Sequence, residues 1–269
     1  STNSPSYRLV TDSDVRALTV TIDQDGLTSS ALSEIRAMTS TDVSQTWRDM
    51  AQSGQRIVAV SGAEGSTVGV YLSNDAGQSW LAAKLPAGVG YDMASISPDG
   101  QALLAMSSNG SYALSRDGGS TWTTGKAPSD NYADVVMLAD GRVLAVDKTD
   151  SEKNFYFNNV FDWGWRTTNK PGLARVLGLD GQWTQLSSPN GNWNALTTAQ
   201  TTQQSLVLAA TGSKANNSVN GDLYMGTVAV SGAITWANVT RNAPANANWT
   251  SVDMSADGRY LVAAVRGGQ

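Results

Sequence analysis

The chain has 269 residues, 41% hydrophobic and 15% charged, and its 18 Lys plus Arg against 23 Asp plus Glu leave a net charge of −5. These proportions permit a sizeable core and exclude a disordered tail; an acid excess without a basic stripe argues against nucleic-acid and anionic-membrane surfaces, and no run of about 18 apolar residues is available to span a bilayer. Cys and His are both absent, which removes disulfides, thiol nucleophiles, Cys/His zinc sites and His-based triads, so no metal site and no cofactor is expected.

Taken in chain order, "STNSPSYR" opens without Met, and the richness in Ser, Thr, Asn and Gly suggests an exported protein, extracellular or at the cell surface, with the periplasm as the alternative. "YRLVTDSD", Tyr7 to Asp14, reads as a strand running into a degraded turn. A signature then recurs six times, an aromatic or β-branched residue followed by an alternating strand and often a D-G turn, starting at Val15, Trp47, Tyr91, Tyr132, Trp193 and Trp249. The spacings straddle the roughly 40–50 residues of a four-stranded propeller blade. In the third unit "MASIS", "QALLAMS" and "SYALS" follow one another as strands, with Gly100 supplying a positive φ in the first turn. The second strands "RIVAV", "ALLAM", "RVLAV", "SLVLAA" and "YLVAAV" are almost continuously apolar, as strands buried on both faces require. The last unit supplies only two strands before Gln269, so pairing them with the N-terminal strand gives one composite blade. The expectation is an all-β, single-domain β-propeller over residues 1–269, six four-stranded antiparallel blades closed by N- and C-terminal strands.

Between third and fourth strands an octet recurs: "SNDAGQSW", Ser73 to Trp80, and "SRDGGSTW", Ser115 to Trp122, with a weaker "STDVSQTW", Ser40 to Trp47, in which Ser44 replaces the glycine. Later copies decay to "GQW" at 181–183 and "SGAITW" at 231–236. The octet resembles the Asp-box, or bacterial neuraminidase repeat, found in propellers of sialidases, other glycosidases, sortilin-like receptors and photosystem II assembly factors. That resemblance implies a turn far from the ligand face. Physical chemistry agrees: the carboxylate of Asp75 or Asp117 accepts backbone N–H groups, Gly77 or Gly119 takes positive φ, and Trp80 or Trp122 packs into the sheet interface. Ser73 and Ser115 open these octets, and Ser40, Asp42 and Trp47 fall in the same roles in the weaker copy.

No catalytic residue is assigned. Sialidases need an arginine trio, a Tyr/Glu nucleophile pair, an acid Asp and an Arg-Ile-Pro motif, and this chain has only "RIV" at 56–58 and scattered arginines such as Arg8, Arg36, Arg116, Arg175 and Arg266, read as solvated or turn residues. A glycosidase needs only two suitably separated carboxylates, but most acidic residues lie in turns, and the glutamates are Glu34, Glu64 and Glu152. The stretch from Asp147 to Gly172 lengthens its unit and carries every Phe of the chain. Tyr156, Asn158, Asn159, Asp162, Trp163, Trp165 and Arg166 combine ring faces with amide, carboxylate and guanidinium groups and are the candidate ligand or partner residues. The bland alternative is an outer-strand hairpin with Trp165 as the tryptophan of a decayed octet. Asn190–Asn194 and Asn246–Thr250 line one end in a similar way, although Trp193 and Trp249 read as structural. The leading expectation is a non-catalytic binding module for a glycan or protein, with self-assembly open. A structural subunit or assembly factor of a larger assembly comes second, and a glycoside hydrolase third.

Overall fold

A computed structural model describes residues 47–61, 69–86, 89–148, 150–159, 162–200, 205–212, 221–229, 231–240 and 247–265, the side chains of 150–169 and 200 excepted. The described residues form strands and turns only. The first sheet holds β1 (Trp47–Ser53), β2 (Arg56–Ser61), β3 (Val70–Ser73) and β4 (Leu81–Ala82) in sequence order. The second holds β5 (Met93–Ile96), β6 (Leu103–Met106), β7 (Ser111–Ser115) and β8 (Thr123–Lys126). In the third, β9 (Tyr132–Met137) and β10 (Val143–Asp147) are separated by a hairpin, β11 (Asp150–Asn159) and β12 (Asp162–Lys170), from β13 (Ala174–Leu177) and β14 (Trp183–Gln185). The fourth holds β15 (Asn192–Gln200), β16 (Ser205–Gly212), β17 (Leu223–Val228) and β18 (Ile234–Asn238), and β19 (Trp249–Met254) pairs with β20 (Leu261–Val265). Every pairing among the described strands is antiparallel.

The first strands β1, β5, β9, β15 and β19 lie side by side in that order, so the core is divided into layers between successive sheets. Period-two alternation distributes each second strand between two layers. Leu103 and Ala105 pack toward the first sheet with Val58, Val60 and Leu72, while Leu104 and Met106 pack toward the third with Met137, Val143 and Leu177. Likewise Val207 and Ala209 meet Leu144 and Val146, whereas Leu208 and Ala210 meet Val252 and Met254. This is why β2, β6, β10 and β16 need apolar residues at consecutive positions. The signature aromatics Tyr91, Tyr132, Trp193 and Trp249 are buried at the blade junctions.

Three placements differ from expectation. The Asp147–Gly172 stretch is no outer-strand hairpin: it connects the second and third strands of its sheet, and the octet tail belongs instead to Gly181–Trp183, where Trp183 starts β14. Trp47 opens β1, a first strand, rather than leading into a fourth strand as Trp80 and Trp122 do; Ser40 and Asp42 lie outside the described residues. Finally, β20 is not sandwiched. Tyr260, Leu261 and Val262 are 77%, 47% and 63% exposed, because among the described residues the β19–β20 sheet has no third strand. The expected first unit and the N-terminal strand, Tyr7 to Asp14, also fall outside the described residues.

Candidate functional site

Antiparallel strands alternate in direction, so connections between first and second and between third and fourth strands emerge at one end of the molecule. Those between second and third strands, and from a fourth strand to the next sheet, emerge at the other. The octets occupy the first end. In each, a serine hydroxyl (Ser73, Ser115) donates to the aspartate at 2.8 Å and accepts the glycine N–H (Gly77, Gly119) at 2.8 Å. The aspartate then accepts the N–H of Ser79 or Thr121 at 2.8 Å, together with the hydroxyl of the same residue. Gly77 and Gly119 sit at φ 89° and 90°, and Trp80 and Trp122 donate their indole N–H to the glycine carbonyl at 3.1 Å. The Ser79 and Thr121 hydroxyls, aided by backbone N–H groups, hold the Asp75 and Asp117 carboxyls down to about 2. Each carboxylate thus accepts three hydrogen bonds from within its own turn.

The neighbouring first strands line a cavity of about 930 Å³, with Asp49, Asp134 and Asp253 among apolar, hydroxyl and amide residues. Among the described residues no Lys or Arg lines it. First strands are sheet edges with unpaired N–H groups, and here side chains satisfy them across the junctions. Asp49 accepts the N–H of Ala94 at 2.8 Å, Ser95 that of Met137 at 2.8 Å, and Asp134 that of Leu196 at 2.7 Å. Asn194 donates to the Trp249 carbonyl at 2.6 Å at the next junction. Burial pushes the Asp134 carboxyl up to about 7 against the opposing Leu196 and Val135 N–H bonds, with the Asp49 charge adding to the rise. Asp49 is raised for the same first reason, burial. Sequence reasoning passed over both residues; the signal was an acidic residue two places after the opening aromatic in "WRD" and "YAD".

At the opposite end the β11–β12 hairpin leaves the third sheet from a tightly built root. Asp147 ion-pairs with Arg175, the two side chains being 9% and 13% exposed, so Arg175 is a buried partner and not a solvated residue. Burial raises the Asp147 carboxyl, and the Arg175 interactions oppose it. The Lys148 N–H bonds the Asn131 carbonyl at 2.9 Å and the Gly172 N–H that of Gly191 at 2.8 Å. Trp193 donates to the Gly172 carbonyl at 3.2 Å. A Cβ at Gly172 would stand 2.0 Å from the Asp147 carbonyl oxygen, so only glycine fits there. Arg116 donates to the Gly141 carbonyl at 2.8 Å and thus plays the turn role expected of it; Arg8, Arg36 and Arg266 are outside the described residues.

The hairpin register sets Phe155 opposite Trp165, Phe157 opposite Trp163, Tyr156 opposite Gly164 and Asn154 opposite Arg166. Directly opposed residues share a face and adjacent ones alternate. The candidate residues are therefore divided: Trp163 and Trp165 belong to one face with Phe155 and Phe157, Tyr156 and Arg166 to the other. Asn159 lies opposite Asp162, and the register shifts between Phe157 and Asn159, across Asn158.

No family model matches the sequence, nor does any curated protein. Solved structures do. An ancestral enzyme titled GH74 matches at 13% identity and TM-score 0.51 over 82% of this chain and 29% of its own. The fold is a β-propeller. A structure titled YCF48 bound to D1 peptide matches at 17% identity and TM-score 0.49 over 84% of this chain and 62% of that one. Kuenenia stuttgartiensis hydrazine synthase matches at 12% and 0.42 over 85% of this chain and 77% of its own. The chain thus spans less than two thirds of the first two, and at 13% identity the likeness to the ancestral enzyme is one of fold.

Proposed function

We propose that this chain is a non-catalytic, exported propeller, stabilised by turns of the Asp-box kind, that docks a protein partner through the end bearing the β11–β12 hairpin. The observation that carries this reading is the rooted hairpin itself: a second-to-third-strand connection extended into two long strands, held by a buried ion pair, on the end opposite the octets. Function in such frames resides in grafted connections, not in the frame. The register sets two Phe/Trp cross-strand pairs on one face, with Lys153 and Thr167 next to them, and Arg166 and Asn154 on the other; clustered aromatic residues are the anchor composition of protein interfaces, which supports a protein partner. The channel carboxylates support a structural role, since Asp49 and Asp134 each accept two backbone N–H bonds.

The test is site-specific photocrosslinking in the source cells, with a benzophenone amino acid at Phe157 or, as the control end, at Asn74. Adducts from position 157 and none from 74 are expected; the reverse pattern, or none from either, refutes the reading. A glycan array is expected to stay silent, and a signal abolished by Trp163→Ala would replace the protein partner with a carbohydrate. A fluorogenic glycoside panel is expected to show uniform inactivity, and turnover would restore the hydrolase reading.

A further inference from the structure

We infer that the open edge of β20 is covered by this chain's own N-terminal residues, Tyr7–Thr11 pairing with it as a third strand and Ala17–Ile22 following as a fourth, which closes a ring of five sheets. This lies outside the docking reading above and concerns the frame that carries the hairpin. The need is visible in β20 itself. Each second strand of a described four-stranded sheet has a strand on either side, and β2, β6 and β10 are buried almost throughout. Among the described residues β20 has β19 alone, and Tyr260, Leu261 and Val262 stand exposed. A two-stranded sheet is marginal in water, and a bare apolar edge is a template for another strand. At the other end of the row β1 is similarly bare, with Trp47 and Met50 exposed, and β1 and β19 both border the one cavity. Residues 1–46 run directly into β1.

The segment carries the marks of a third strand. In the first two sheets the third residue after the turn glycine, Ile57 after Gly54 and Leu103 after Gly100, pairs with the octet serine, Ser73 or Ser115. Each serine follows a leucine, Leu72 or Leu114, and precedes an aspartate. Thr11 likewise follows Val10 and precedes Asp12 and Asp14. The residue equivalent to Ile57 and Leu103 is Leu261, third after Gly258, so Leu261 is set opposite Thr11, Ala263 opposite Leu9 and Val265 opposite Tyr7. Spacing then fixes the count. From Ser73 to Tyr91 and from Ser115 to Tyr132 the chain makes one further strand and a connection before the next opening aromatic; Thr11 to Trp47 is about twice that distance. The surplus is about half of Met93–Lys126, the most compact four-stranded sheet described, so no sixth sheet fits. Nor does an aromatic residue stand between Tyr7 and Trp47 to open one.

The chain has no cysteine, so a disulfide reads the pairing directly. Cα atoms directly opposed across antiparallel strands lie ~5 Å apart, within reach of a disulfide that fails beyond ~7 Å. In the full chain, Leu9→Cys with Ala263→Cys is expected to oxidise within one molecule, seen as faster migration of the monomer on a non-reducing gel, and to melt higher than its reduced form. Leu9→Cys with Leu81→Cys, on the outer edge of the first sheet, is expected to stay reduced. No disulfide between positions 9 and 263, or one between 9 and 81 in its place, overturns the inference; a disulfide joining two molecules overturns it as well and gives the edge to a second copy. Amide exchange on the unsubstituted chain keeps the test independent of the exchanges. Two protected runs are expected ahead of Trp47, within Tyr7–Thr11 and Ala17–Ile22; none there overturns the pairing, and four or more restore a sixth sheet.

Discussion

Gly110 and Gly181 both sit at positive φ, 90° and 79°, but an added methyl would meet backbone in one case and open space in the other. At Gly181 nothing lies within 4 Å; at Gly110 the Ser129 carbonyl oxygen would be 2.3 Å away. Gly181→Ala is expected to cost about 1–2 kcal/mol from conformation alone, and Gly110→Ala a further ~1–3 kcal/mol from the displaced backbone, read from paired thermal melts. Asp134 gives the pH signature. Its folded value of about 7 stands above the ordinary 3.8, so the native state binds the proton more tightly. Its contribution is full below pH 3.8 and is lost as pH rises through about 7. Urea midpoints are expected to be higher at pH 5 than at pH 8, with the gap narrowed by Asp134→Asn; an unchanged gap would refute the assignment. Asp75 and Asp117, held at about 2, act with opposite sign, their contribution disappearing only as pH falls from 3.8 toward 2. The octet residues were legible because every partner lies within four positions in sequence. Asp49 and Asp134 were not, because the N–H group each accepts from the next sheet is 45 or 62 residues away.

Among elements, the second strands were readable from composition, since burial on both faces leaves no polar position in "VLAV" or "LLAM". The hairpin was visible as an aromatic insertion, but its place between β10 and β13 was not, because the decayed octet left Trp165 and Trp183 as equal claimants for one tryptophan position. What ties the hairpin down is the Asp147–Arg175 pair. Arg175→Ala is expected to cost about 3–5 kcal/mol, the penalty for stranding one member of a buried pair. Arg175→Met combined with Asp147→Leu is expected to cost much less, and chemical denaturation of the single and double variants measures the difference. Equal losses in both would show that the charges themselves are required.

At the level of the molecule, the layered core explains why five successive sheets could be counted in the described chain from their opening aromatics, four of which are buried between neighbours. Closure is the part that sequence proposes and β20 makes testable. If Tyr7–Asp14 pairs with its outer edge, removing residues 1–46 is expected to speed amide exchange across Leu261–Val265 while β10 stays protected; unaltered exchange at β20 would refute the composite blade. The clasps between first strands have a direction. At four successive junctions the side chain belongs to the earlier sheet and the main-chain group to the later: Asp49 to Ala94, Ser95 to Met137, Asp134 to Leu196, Asn194 to Trp249. Each unit therefore arrives carrying the fastener for whatever follows it, whose receptor is plain backbone that any successor possesses. Exchanging the side chains of the receiving strand at Ala94, Met137, Leu196 or Trp249 thus leaves the clasp itself in place, whereas exchanging the single fastener before it undoes the join.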